Sequence, residues 1–108
     1  MATLVHEHCR KQVDRLDESE SRELLKEIDG WELTDRGTLA RTFKFGDFYE
    51  TVAFVNALAW IANREDHHPD LEVGYSRCRV EYSTHSVQGL SRNDFICAAR
   101  IESLVREA

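Results

Sequence analysis

A single proline, Pro69, stands just past the longest helical pattern in the chain and fixes where that pattern must end. Proline disfavours helical geometry in the residue before it, so a helix arriving from residue 50 has to stop near His67-His68. The pattern opens with Asp47 and Glu50, spaced as a capping box in which each side chain satisfies a free amide at the helix start. Val52, Val55 and Ala59 mark one apolar stripe and Phe54, Leu58 and Ile61 its neighbour, a surface wide enough to be mostly buried. The stripes fade over Asn63-Arg64-Glu65-Asp66.

The same signals divide the rest of the chain. Asp17 and Glu20 form another capping box, and Leu24, Leu25 and Ile28 give a helix over 19–28, which Gly30 is placed to end in the left-handed conformation. Two strand-like runs, 31–34 and 38–45, flank the turn Asp35-Arg36-Gly37, with Leu39, Arg41, Phe43 and Phe45 on one side. That is a hairpin with an imperfect apolar face. After Pro69 the runs 71–75 and 78–84 predict a second hairpin, in which Cys78, Val80 and Tyr82 alternate with polar residues. A third capping box, Ser91 with Asp94, opens a closing helix with Cys97, Ile101, Leu104 and Val105 on its stripe. The predicted order is α-β-β-α-β-β-α: an α+β fold, with a four-stranded antiparallel sheet and helices packed on one face. Residues 17–108 read as one domain, and the weakly patterned residues 1–16 as a partly mobile arm.

Composition excludes several classes. With 20 acidic against 14 basic residues and no basic cluster, the chain is not expected to bind nucleic acid. No stretch approaches the roughly 20 apolar residues that cross a bilayer, so neither a membrane partner nor a location outside the cytoplasm is expected. Cys9, Cys78 and Cys97 form no CxxC pair, and no disulfide framework is expected of them.

The histidines carry the chemical information, since imidazole alone exchanges protons near neutrality without perturbation. His67 and His68 are held at a helix end, His85 closes a separate strand-like run, and Asp94 opens the last helix, so the groups can meet in one cleft. Such a set suits general acid–base chemistry. The plain alternative is that the histidine pair caps the last helical carbonyls and Asp94 serves only its capping box. Metal binding is disfavoured, because adjacent histidines diverge and His6-x-His8 lies in the arm.

Asp66-His67-His68-Pro69, Tyr75, Ser83-Thr84-His85, Gly89-Leu90-Ser91 and Asp94 together closely resemble the signature of the pterin-4a-carbinolamine dehydratases. Five residues separate Pro69 from Tyr75, nine separate Tyr75 from His85 and eight separate His85 from Asp94, and the likeness spans about residues 16 to 106. The resemblance, to a bacterial-type member, implies a lyase that dehydrates 4a-hydroxytetrahydropterin, the spent cofactor of aromatic amino acid hydroxylases, to quinonoid dihydropterin. It implies no metal and no cofactor, a small-molecule pterin as partner, and a homodimer or homotetramer. By motif position His67 and His85 are the acid–base pair and His68 orients the pterin, while Asp66, Ser83, Thr84 and Asp94 line the pocket. Asn63, also counted among the pocket positions, departs from the family, where an acid is common; Glu65 substitutes for it only in part. Leu71 departs too, replacing an aromatic contact to the pterin with an aliphatic one. The competing reading is a non-catalytic interaction module, because animal members also act as dimerisation partners of a homeodomain transcription factor.

Overall fold

The computed structural model describes residues 3–106. Helix α1 (Glu18–Leu25) leads to β1 (Glu32–Leu33) and β2 (Leu39–Lys44), then to α2 (Phe48–Glu65), β3 (Asp70–Val73), β4 (Arg77–Tyr82) and α3 (Arg92–Arg106). The sheet is antiparallel throughout in the order β1-β2-β4-β3. The α+β arrangement expected from the alternating periods is therefore the observed one. Among the described residues no helix is long and apolar enough to cross a membrane.

Register explains the imperfect hairpin face. Leu39, Arg41 and Phe43 pair with Tyr82, Val80 and Cys78, which puts all six on the sheet face that the helices cover. Arg41 is tolerated there because its guanidinium pairs with Glu102 of α3 and lies 4.5 Å over the Phe43 ring. Glu102 also accepts from Trp31 Nε1 at 3.0 Å, tying the start of the sheet to the last helix.

The end of α1 and the buried face of α2 differ from the sequence expectation. Helix α1 ends at Leu25, because Lys26, Glu27 and Ile28 donate to carbonyls three residues back and tighten the last turn, which carries Ile28 into the core. Gly30 does adopt the left-handed conformation, at φ 88°, but after that tightened turn. In α2 only the Phe54, Leu58, Ile61 stripe is buried; Val52 and Val55 are half-buried and Ala59 is exposed, since the helix rests on the sheet and α3 along one side only.

Residues 3–16, expected as a partly mobile arm, lie against the body. A 3₁₀ turn, Leu4–His6, buries Leu4 in the core, where it is 1% exposed. The anchors are long-range and so invisible to local patterning: Cys9 N donates to Glu65 Oε1 at 2.7 Å, and Asn93 exchanges two hydrogen bonds with the Arg10 backbone.

Candidate active site

The first wall is made where α2 stops. Asp66 takes the left-handed conformation (φ 52°, ψ 44°), His67 N donates to Ala62 O at 3.0 Å, and Asp66 N donates to Asn63 O at 3.2 Å. These are the paired bonds of a Schellman termination, so the helix is closed at Asp66, three residues before the proline expected to stop it. An aspartate accepts this conformation more readily than most residues. The reversal presents His67 and His68 beside the sheet.

The second wall follows β4. Thr84 and Gly89 pair across a tight loop, and His85 begins its 3₁₀ turn, exposed to solvent. The third contribution is Asp94 in the first turn of α3, fully buried behind the histidines.

His67 is the best-braced group. Its Nε2 lies 2.6 Å from Asp94 Oδ1, its ring stacks on Tyr82 at 5.2 Å and 22°, and its carbonyl accepts from the Tyr82 hydroxyl at 3.2 Å. Asp94 Oδ2 meanwhile accepts from Thr84 Oγ1 at 2.8 Å and from Ser91 N at 2.9 Å. One carboxylate thus caps α3 and holds an imidazole. Burial alone pushes the His67 pKa down, but the hydrogen bond and charge of Asp94, helped by Cys97 and Asp66, outweigh it and hold the value above the usual histidine range. The bond to Asp94 occupies Nε2 and leaves Nδ1 for exchange with a ligand.

His68 Nε2 donates to Asn63 Oδ1 at 3.1 Å, which likewise leaves its Nδ1 open. Asn63 thus positions a histidine rather than lining the cleft. His85 makes no ring hydrogen bond to another described residue and keeps both nitrogens available.

These groups border a cleft of about 950 Å³. His67, His68, His85, Asp66, Ser83 and Thr84 all line it, so the three imidazoles do share one space. Asp94, expected at the pocket wall, is not part of the lining, because its carboxylate is turned inward to the α3 start and His67. Leu71 is also outside the lining and packs against the core.

Residues that sequence patterning missed also line the cleft: Cys9, Arg10, Lys11 and Val13 from the arm, together with Arg64 and Asn93; Glu65 joins them. Glu65 does not replace the acid absent at position 63; it faces the arm. Burial raises its pKa, but the Cys9 amide, His8 and Arg100 prevail, and the carboxyl sits below the ordinary carboxylate range. The only signal available for the arm was its basic pair Arg10-Lys11 in an acidic chain, which had no periodicity to attach it to the cleft.

The described geometry has close counterparts. Residues 14–104 match the family model described as Pterin 4 alpha carbinolamine dehydratase. A protein of Xanthomonas campestris pv. campestris (strain 8004), provisionally named a pterin-4-alpha-carbinolamine dehydratase, is 59% identical over 101 residues, covering 90% of this chain and 86% of that one. A protein of Nitrosomonas europaea (strain ATCC 19718 / CIP 103999 / KCTC 2705 / NBRC 14298), given the same provisional name, is 52% identical over 99 residues, covering 91% and 87%. A crystal structure of a transcriptional coactivator/pterin dehydratase from Brucella Melitensis superposes with a TM-score of 0.81 at 37% identity, over 84% of this chain and 98% of that one. A pterin dehydratase-like RuBisCO assembly factor of the alpha-carboxysome shares the fold, with a TM-score of 0.61 at 23% identity over 69% and 88%.

Proposed function

The chain belongs to the pterin 4 alpha carbinolamine dehydratase family, and from that premise and the cleft's geometry we propose that it removes water from 4a-hydroxytetrahydropterin. One observation carries the reading: three imidazoles from two separate segments line one cleft, and one of them is braced by a buried carboxylate. The reaction needs a proton on the departing 4a-hydroxyl and the loss of the N5 proton as the C4a=N5 bond forms. Raised in pKa and held by Asp94, His67 in its imidazolium form is suited to deliver the first proton from Nδ1. His85, exposed and unbridged, is suited to accept the second. The C–O bond breaks, water leaves, and proton exchange with solvent restores both rings.

His68, steadied by Asn63, orients the flat pterin, with Asp66 and Ser83 supplying polar contacts at the cleft wall. The product under this reading is quinonoid dihydropterin, returned to the cycle of an aromatic amino acid hydroxylase. The decisive experiment follows the ultraviolet absorbance of enzymatically generated carbinolamine with and without the purified protein. We expect faster decay with it; an unchanged decay by a folded sample, whether or not it engages a partner protein, rejects the catalytic reading in favour of an interaction module.

We also propose that the chain self-associates. Ala59 and Trp60 are exposed on α2, and Phe48 and Tyr75 stack on each other while largely exposed, so apolar surface is left for a second copy. Sedimentation at low and high concentration distinguishes this from a monomer.

A further inference from the structure

Cys9 and Cys97 are 88 residues apart in sequence, yet their sulfurs lie 3.5 Å from each other. Cys97 is buried on α3, one turn after Asp94, whereas Cys9 is half-buried in the arm and lines the cleft. Small oxidants that enter the cleft therefore reach Cys9 first. We infer that Cys9 and Cys97 form a redox-active thiol pair, a modification site at which a small disulfide generates an intramolecular Cys9–Cys97 cross-link.

The geometry permits the bond. A disulfide needs the sulfurs about 2.0 Å apart, so roughly 1.5 Å must close. Residues 7–16 belong to no helix or strand, and side-chain rotation of Cys9 with a small backbone shift supplies that movement. The chemistry is also arranged for it. In the resting pair the hydrogen bond from Cys9 lowers the Cys97 pKa against the opposing effect of burial, while the same contact and burial hold the Cys9 thiol up, so loss of the Cys9 proton is the slow step; once Cys9 is engaged, His67 and Tyr82 still favour the Cys97 thiolate.

In the first step the Cys9 sulfur, on losing its proton, attacks one sulfur of the small disulfide; that S–S bond breaks and one small thiolate leaves. The Cys97 thiolate then attacks the Cys9 sulfur and expels the second small thiolate. The two protein sulfurs are oxidised, the small disulfide is reduced to two thiols, and the two protons of the protein thiols end on them. Cys78, buried on β4 with burial holding its thiol pKa high, serves as the internal control.

The test treats the purified full chain with oxidised glutathione and counts thiols after denaturation, a readout independent of turnover. Three thiols per chain should fall to one, peptide mapping should join the Cys9 and Cys97 peptides, and dithiothreitol should restore all three. Oxidation should raise the urea midpoint, because the cross-link restrains a long loop in the unfolded chain. Cys9→Ser, at the half-buried position, should keep both remaining thiols under the same treatment. The inference is overturned if all three wild-type thiols persist, if the cross-link joins separate chains, or if Cys9 stops as a stable glutathione adduct.

Discussion

Among individual residues, His67 and Asp94 matter most, because one 2.6 Å contact links a surface cleft to a buried cap. Replacing His67 or His85 by alanine should lower kcat by about a hundredfold or more, the usual contribution of a general acid or base. His68→Ala should act mainly on KM, so steady-state kinetics on the three variants separate the roles. Equal and small effects from all three would contradict the assignment. Asp94→Asn should draw the His67 pKa down, since burial then goes unopposed. The folded-state pKa of His67 is raised, so the stabilising pair is fully formed below the ordinary value of 6.5 and is lost as pH rises through the raised value. The alkaline limb of kcat/KM should consequently move to lower pH in the variant, as a pH–rate profile will show. These residues were legible in the sequence, because a proline after a helical pattern and a Ser91-to-Asp94 capping spacing are local signals. The inward turn of the carboxylate was not, because it depends on Thr84 and His67 arriving from other elements.

For the elements, legibility followed the strength of the apolar period. Cys78, Val80 and Tyr82 alternate without interruption, and their strand forms with that face buried, over Arg77–Tyr82 rather than 78–84. The α2 surface was read as too broadly buried, since two stripes in a sequence do not reveal that only one meets a neighbour. The end of α2 lies where the fading stripe put it, but the device was not legible: Pro69 disfavours helix at His68, whereas the left-handed Asp66 had already closed it. What joins the elements is polar as well as apolar. Glu102→Ala would leave Arg41 and the Trp31 indole N–H without their shared acceptor, costing about 3 kcal/mol, toward the low end for a broken buried pair because Arg41 keeps some water contact. Urea denaturation should show this as a lower midpoint with an unchanged slope; a loss below about 0.5 kcal/mol would place the network outside what holds the sheet to α3.

Taken whole, the molecule closes its cleft with residues 9–13, which sequence patterning had set apart as an arm. The bonds that Cys9 and Arg10 make reach across 56 to 88 positions, and no period within the segment can encode them. Leu4→Ala should destabilise the whole domain by about 2–5 kcal/mol, the cost of emptying a filled core site. Thermal or chemical unfolding checks this, and a near-neutral result would return the segment to the status of a loose tail. The Asp94 carboxylate has a broader consequence. Because it fastens the first turn of α3 and also steadies His67, an engineer who wants a different working pH has no free hand at this position. In a deep mutational scan, abundance and turnover should fall in step there, a signature that separates a shared fastening from a residue devoted to either task.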